Sequence, residues 1–556
     1  MDGHEISEKK GLPDRPDPTQ NTSHDEPRDA VPDTAPDAQA KESGSGGGPE
    51  DESRYPHGLR LAVIILSNMI AMFLVALDRT IIGTAVPRIT DDFHALQDVG
   101  WYAGAYLITS CATQLLWGRI FTFYSTQAVY LSAIFLFEVG SLICGVAPNS
   151  IAFIFGRAIA GAGSAGIYSG STILITEVTP LSKRAGYVGM MGAVFGISSV
   201  IAPLIGGAFT DRVTWRWCFY LNLPVGGAAV AALVFMFPKR PPKQPVPAAQ
   251  QVRQLDPLGN LVFLPSVVCL LLALQWGGST YAWNSGRIIA LLVLAGVLFI
   301  TFVAIQVWQQ ENATVAPRLF RQRNVWLGTL FAGCIGAVMI TFLIALPIWF
   351  QGIRGTDAVA SGIDTLPLVL SLVFGAMVSG GFINGAGWFN PVFFSSVVFM
   401  AVGGGLLTTL DLDTATRTWI GYQIILGLGI GQGMQLASLA AQVVLQQKDV
   451  PQGVSLMFFA QSLGGAVFVC IGQSVFTNAL QSRLSSFDGL DVARVVATGA
   501  TELRSVIPAD ILRPVLVQYN AALRNYFYVG LSAACFAVLP SLGVEWKSVK
   551  DKELVH

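Results

Sequence analysis

Fourteen apolar stretches, set apart by short polar or basic intervals, organise the chain. They run over residues 61–83, 100–117, 128–146, 151–173, 187–209, 218–237, 258–275, 288–308, 326–350, 364–383, 392–410, 419–441, 453–476 and 525–543. A bilayer core of about 30 Å is crossed by roughly 20 residues of helix, at about 1.5 Å rise per residue. Each stretch therefore predicts a membrane-spanning helix. The shortest sit at the edge of this test, so hydropathy alone also admits twelve or thirteen spans. Trp101, Trp117, Trp215, Trp217, Trp276, Trp283 and Trp419 fall near the expected span ends, where indole rings settle at the membrane interface.

The polar intervals set the orientation. With the N-terminus inside, sixteen lysines and arginines fall in inside connections and six in short outside ones. This bias predicts both termini in the cytoplasm. The long outside segment 477–524 holds five arginines, but long loops cross largely regardless of charge. Residues 1–57 are rich in Pro, Asp, Glu, Ser and Gly and have no apolar stretch. They predict a disordered cytoplasmic tail with no cleavable signal peptide.

A short repeat suggests how the spans group. Arg157 is followed by Gly161 and Gly163 in span four; Gln423 is followed by Gly427 and Gly429 in span twelve. This fits two related six-helix halves, with the transported ligand's site at their interface. The expected organisation is a half at 58–238, a basic linker with two inserted helices at 239–317, a second half at 318–545 and a tail at 546–556.

Composition agrees with the pattern. Only 12% of the 556 residues are charged, against about a quarter in soluble domains. The net charge of −1 gives no attraction to nucleic acid. The seven cysteines lie in or beside apolar runs without a CxxC pair, so they read as small buried residues and not as a metal site or disulfide framework. There is no nucleophile–base pair, metal cluster or phosphate loop in the sequence, so neither an enzyme nor a cofactor is expected.

Few ionisable residues fall inside the spans: Asp78 and Arg79 in span one, Glu138 in span three and Arg157 in span four. A charge at membrane depth costs at least about 2.5 kcal/mol and needs a partner or a watered cavity. Asp78 is a candidate proton carrier, or else a carboxylate held permanently by Arg79 or at a helix end. Arg157 is a candidate fixed charge that tunes a nearby acid, or a clamp on backbone carbonyls. Glu138 is a candidate second proton site, or a polar contact between helices. Gln432, Gln435 and Gln461 are candidates for lining a ligand cavity, or for hydrogen bonding between helices. In span five, Gly192 and Gly196 form a GxxxG face for close helix approach, and Pro203 permits a bend before Gly206 and Gly207.

Taken together, these segments resemble the major facilitator superfamily, and within it the fourteen-helix drug:proton antiporters. Leu77-Asp78-Arg79-Thr80-Ile81-Ile82-Gly83-Thr84-Ala85-Val86-Pro87 is similar to the family's L-D-x-T-I-V-N-x-A-L-P. Arg157, Gly161 and Gly163 are similar to its R-x-x-x-G-x-G, and Gly192 to Gly207 to its antiporter motif in helix five. Trp215 to Gly227 looks like its W-R-W-x-F-x-I-N-x-P-x-G stretch. The loop after helix two keeps Gly118 and Arg119 but has Thr122 where the family has an acid and Ser125 where it has a second glycine. Gly83 stands where Asn is usual, and Ala202 where Gly usually precedes Pro203.

The resemblance implies an all-α polytopic membrane protein with the major-facilitator fold, two six-helix halves plus two inserted helices. It implies a monomer with no cofactor, exporting a small, largely apolar toxin, drug or secondary metabolite by alternating access, as fungal members do. Asp78 would carry the proton and Arg157 assist it, while the helix-five motif would seal the outer gate. The cell membrane is the expected site, with the vacuolar membrane as the alternative. Alternative functions are vacuolar or siderophore and basic-amino-acid transport, or a non-transporting membrane sensor.

Overall fold

The computed structural model describes residues 55–549, apart from 96–97, 238–253, 279, 486, 488–491, 493–494, 496–502 and 509. Most of the tail expected before residue 58, most of the basic start of the linker, the end of the C-terminal tail and much of the middle of 477–524 lie outside the described residues.

Fourteen long helices follow one another among the described residues. The first six are α1 (Gly58–Phe93), α2 (Val99–Phe123), α3 (Thr126–Val146), α4 (Ser150–Val178), α5 (Leu181–Arg212) and α6 (Asn222–Met236), the last entered through a turn at Trp217–Tyr220. Two more, α7 (Pro257–Trp276) and α8 (Gly286–Gln309), precede α9 (Arg323–Trp349), which continues into a wider π-helical turn, Phe350–Arg354. Then come α10 (Leu366–Ala386), α11 (Asn390–Leu407), α12 (Thr416–Gly433, continued by Leu436–Val444), α13 (Val450–Leu484) and α14 (Leu512–Phe536).

Thirteen spans among the described residues are long and apolar enough to cross a membrane. The remaining helix is α2, 25 residues long, whose Thr109, Ser110, Thr113 and Gln114 lower its hydropathy. Those groups are turned into protein: Thr109 donates to the Ala158 carbonyl at 2.7 Å, and Gln114 donates to the Ala165 carbonyl at 3.3 Å. Large side chains such as Phe135, Phe155, Phe235, Leu261, Ile300 and Phe374 stand exposed on the outside. An apolar surface of this extent suits lipid and not water.

The packing repeats itself. In the first half α1 packs on α5 and α6, α4 packs on α2 and α3, and α3 packs on α6. In the second half α9 packs on α13 and α14, α12 packs on α10 and α11, and α11 packs on α14. The glycine pairs lie in equivalent places in this scheme. Gly161 abuts Tyr106 and Thr109 of α2, as Gly427 abuts Leu368 and Ser371 of α10. Gly163 abuts α3 at Phe137, as Gly429 abuts α11 at Met400. A side chain at any of the four would meet neighbouring backbone, so the repeat seen in the sequence is a requirement of helix approach.

The halves meet through α5 against α10 and α2 against α13. These contacts lie toward the end of the bundle that carries the start of α1 and the residues after α14, called the terminal end below. There the Gly186 backbone abuts Gly380, and Gly118 abuts Ser455 and the Pro451 carbonyl. The hydroxyls of Ser169 and Ser455 are 2.9 Å apart.

The inserted pair α7 and α8 packs together and touches the halves through α2 and α13. A single carboxylate ties its ends. Asp256 is fully buried and accepts from Gly259 N (2.7 Å), Gln306 (2.7 Å), Gln309 (2.7 Å) and both the backbone N and hydroxyl of Thr314 (2.9 Å each). Beside it, Arg119 donates to the Gln254 carbonyl at 2.7 Å and the Glu311 carbonyl at 2.8 Å. Arg119, expected in the loop after span two, thus lies in the last turns of α2 and anchors that helix to the inserted pair.

Candidate functional site

Asp78 sits on α1 and Arg157 on α4, and the contact between these helices buries both. Arg157 Nη1 donates to Asp78 Oδ2 at 2.6 Å. Its Nε donates to the Tyr102 carbonyl of α2 at 2.9 Å. The guanidinium also lies 4.4 Å from the Tyr106 ring centroid and 5.9 Å from that of Phe219. One side chain therefore holds α1, α2 and α4 together through a charge, a carbonyl and two ring faces.

The pair is not saturated. Asp78 Oδ1 is buried and has no hydrogen-bond partner. A buried ion pair is a net gain only when its remaining lone pairs are satisfied. The bare oxygen is chemically a place for a proton. Adding one there weakens the charge that keeps Arg157 bound.

Beside the pair lies a cavity of about 830 Å³. Arg79, Thr84, Tyr106 and Arg157 line it from the first half; Ile344 and Gln351 line it from the second. A smaller cavity of about 300 Å³ adjoins it, sharing Arg79, Leu107, Phe195 and Ile340 among its walls. The smaller one reaches Gln114, Tyr168, Gln275 and Gln461. Among the described residues no Asp or Glu lines either cavity. Gln275 comes from α7, so the inserted pair supplies part of the wall and donates back to the Gly100 carbonyl at 2.8 Å.

The residues singled out in the sequence fall in several places. Asp78 and Arg157 meet each other. Glu138 on α3 abuts Gly226 of α6, in electrostatic reach of Asp78 but outside both cavity walls. Both of its oxygens are buried without a hydrogen-bond partner. Gln461 lines the smaller cavity. Gln432 and Gln435 instead line a crevice of about 20 Å³ between α5, α10 and α12, where Gln432 accepts from Ser395 at 2.5 Å. Gly192 and Gly196 face α10 at Ala376 and Val373, Gly206 abuts α1 at Thr84, and Gly207 lines the larger cavity. Pro203 lies within α5. Gly118 and Arg119 lie at the terminal-end junction described above.

Sequence reasoning passed over Arg79, Tyr168, Gln275 and Gln351 as cavity residues. Arg79 was the findable one, since it is a charge embedded in an apolar span. Nothing in the order of residues marks which face Tyr168 presents.

A buried ion pair beside a cavity between two repeated helical halves defines a polytopic membrane transporter. Residues 69–469 match the Major Facilitator Superfamily, and the chain belongs to that family. It is 79% identical over 506 residues to the rubrofusarin-specific efflux pump aurT of Gibberella zeae, covering 91% of this chain and 93% of that one. It is 49% identical over 514 residues to the MFS-type transporter phomT of Diaporthe leptostromiformis, covering 91% and 86%. Among solved structures, the proton:xylose symporter XylE bound to 6-bromo-6-deoxy-D-glucose shares the fold. Its TM-score is 0.56 at 13% identity, over 89% of this chain and 98% of that one.

Proposed function

We propose that this transporter exports a small, largely apolar secondary metabolite in exchange for protons. It works as a monomer in the cell membrane with both termini in the cytoplasm. The observation that carries the reading is the Asp78–Arg157 pair, buried at membrane depth, with one carboxylate oxygen bare and Arg157 also facing the cavity. The name of the Gibberella zeae relative supports rubrofusarin or a compound close to it as the cargo.

In this reading the structure stands open to the outside. The terminal, cytoplasmic end is closed by α5 on α10 and α2 on α13, and cargo leaves the larger cavity. A proton arriving at Asp78 Oδ1 then competes with Arg157 for the carboxylate. Loosening that pair frees α1 from α4, the two helices that must shift for the halves to rock. Glu138, with two unpartnered oxygens near Asp78, serves as a second proton site, since an ionised carboxylate without partners is poorly tolerated in this setting. Cavity walls without acidic groups disfavour basic amino acids as cargo.

The test is proton movement in proteoliposomes, driven by a rubrofusarin gradient. Wild type should move protons against the metabolite. Asp78→Asn should still bind the compound but lose coupled proton flux. Undiminished coupling in Asp78→Asn would remove the assignment.

A further inference from the structure

We infer that the joined cavities select an apolar ring compound bearing an anionic oxygen, a phenolate or carboxylate, and that Arg79 is the residue that reads it. This rests on the cavity being the cargo site and adds the charge class of the cargo.

Arg79 differs from Arg157 in one respect. Arg157 is neutralised by Asp78. Arg79, one residue further along α1, points elsewhere, because adjacent helix positions lie about 100° apart. It lines both cavities, is partly buried, and makes no ion pair among the described residues. Tyr168 is within its electrostatic reach. With no Asp or Glu in either wall among the described residues, the guanidinium is an uncompensated cation inside a largely apolar chamber at membrane depth.

The polar groups around it are also donors. The Tyr168 hydroxyl and the Gln461 side-chain nitrogen are both buried without a hydrogen-bond partner, and both residues line the smaller cavity. A guanidinium, a hydroxyl and an amide N–H therefore converge on one space of about 300 Å³. Unmade buried donors are costly, and they become satisfied when an oxygen acceptor enters. An anionic oxygen is the acceptor that satisfies all three and also supplies the missing charge. A cationic ligand would face Arg79 with nothing to offset the repulsion. The apolar remainder, with Leu107, Phe195, Ile340 and Ile344 in the walls, fits the ring system.

Binding of three shape-matched probes to the purified full-length protein in nanodiscs tests this: 2-naphthoate, neutral naphthalene-2-carboxamide and cationic 2-naphthyltrimethylammonium. Wild type should bind the naphthoate at least about tenfold tighter than the amide and the ammonium weakest. Arg79→Gln should still bind the amide, losing far less affinity for it than for naphthoate, and so lose the preference for naphthoate. Arg79→Lys should keep part of it, as a charge without the guanidinium fork. Tyr168→Phe should narrow the preference severalfold, and it carries the test if Arg79→Gln does not fold. Equal affinity for naphthoate and amide in wild type, tighter binding of the ammonium, no binding of any probe, or an undiminished preference in Arg79→Gln would each overturn the inference. A wild type that shows no charge preference but retains Asp78-dependent proton exchange would leave the exporter reading standing and remove only this one.

Discussion

Arg157 reaches Asp78 Oδ2 at 2.6 Å, while Oδ1 of the same buried carboxylate meets no hydrogen-bond partner. The pair joins α1 to α4 and holds a site in reserve. Its two halves do not contribute alike. Removing Arg157 leaves an uncompensated carboxylate and frees the Tyr102 carbonyl; removing the charge on Asp78 leaves Arg157 its carbonyl and ring contacts.

Arg157→Ala should therefore destabilise the protein by about 3–5 kcal/mol, the cost of orphaning one member of a buried pair. Adding Asp78→Asn should recover a large part of that loss. Thermal unfolding in detergent, followed by tryptophan fluorescence, reads the difference. A double variant no more stable than Arg157→Ala would show that Arg157 matters through its packing on Tyr106 and not through its charge.

The repeat predicts matched effects at sites 266 positions apart in number, Gly161 and Gly427. A methyl at either meets a backbone carbonyl of the neighbouring helix, which cannot rotate aside. Gly161→Ala and Gly427→Ala should each cost about 1–3 kcal/mol. Gly207→Ala, where nothing lies within 4 Å, should be near neutral for stability. Melting temperatures of the three variants decide it. A tolerated Gly161→Ala beside a damaging Gly427→Ala would mean that the halves do not share this contact.

Much of this was legible because the bilayer imposes one length and one polarity on every span. The fourteen stretches correspond to the fourteen helices, and Gly161, Gly163, Gly427 and Gly429 marked the repeat. The blind spots have a common cause. Hydropathy weighs a residue and not its direction, so α2 falls outside the thirteen apolar spans although its Thr109 and Gln114 bond to a neighbouring helix. For the same reason Gln432 and Gln435, read as equivalent to Gln461, point into a crevice of about 20 Å³. The 100° step along α1 already separates Arg79 from the face of Asp78, but the order of residues does not say that this turns it into the cavities.

Asp256 should matter more than its place at the foot of an inserted helix suggests. It stands at φ 51°, a left-handed conformation that Asn also adopts readily, and accepts five hydrogen bonds from four residues. Asp256→Ala strands those donors and strains the backbone; Asp256→Asn keeps the conformation and some of the bonds. The alanine variant should lose about 2–4 kcal/mol, and the asparagine variant less, at about 1–3 kcal/mol per unmet buried donor set. Limited proteolysis near residue 254 should follow the same order. Equal resistance in all three proteins would show that α7 and α8 are held by their apolar faces alone.

The terminal-end junction should set the balance between the two faces of the transporter. Gly118 on α2 approaches α13 so closely that a Cβ there would lie 2.6 Å from the Ser455 side chain and 3.0 Å from the Pro451 carbonyl oxygen. Gly118→Val therefore penalises the state seen here and leaves the opposite state, in which α2 and α13 part, unpenalised. An overpacking cost of about 1–3 kcal/mol shifts the equilibrium some five- to 150-fold toward opening at this end. Spin labels at Lys183 and Lys448, in the two halves at this end, report the change as a longer distance population in Gly118→Val. Export should slow while ligand binding persists, because only the return to this state is hindered. A distance distribution unchanged from wild type would mean that the helices absorb the side chain locally and that α2 and α13 do not govern closure.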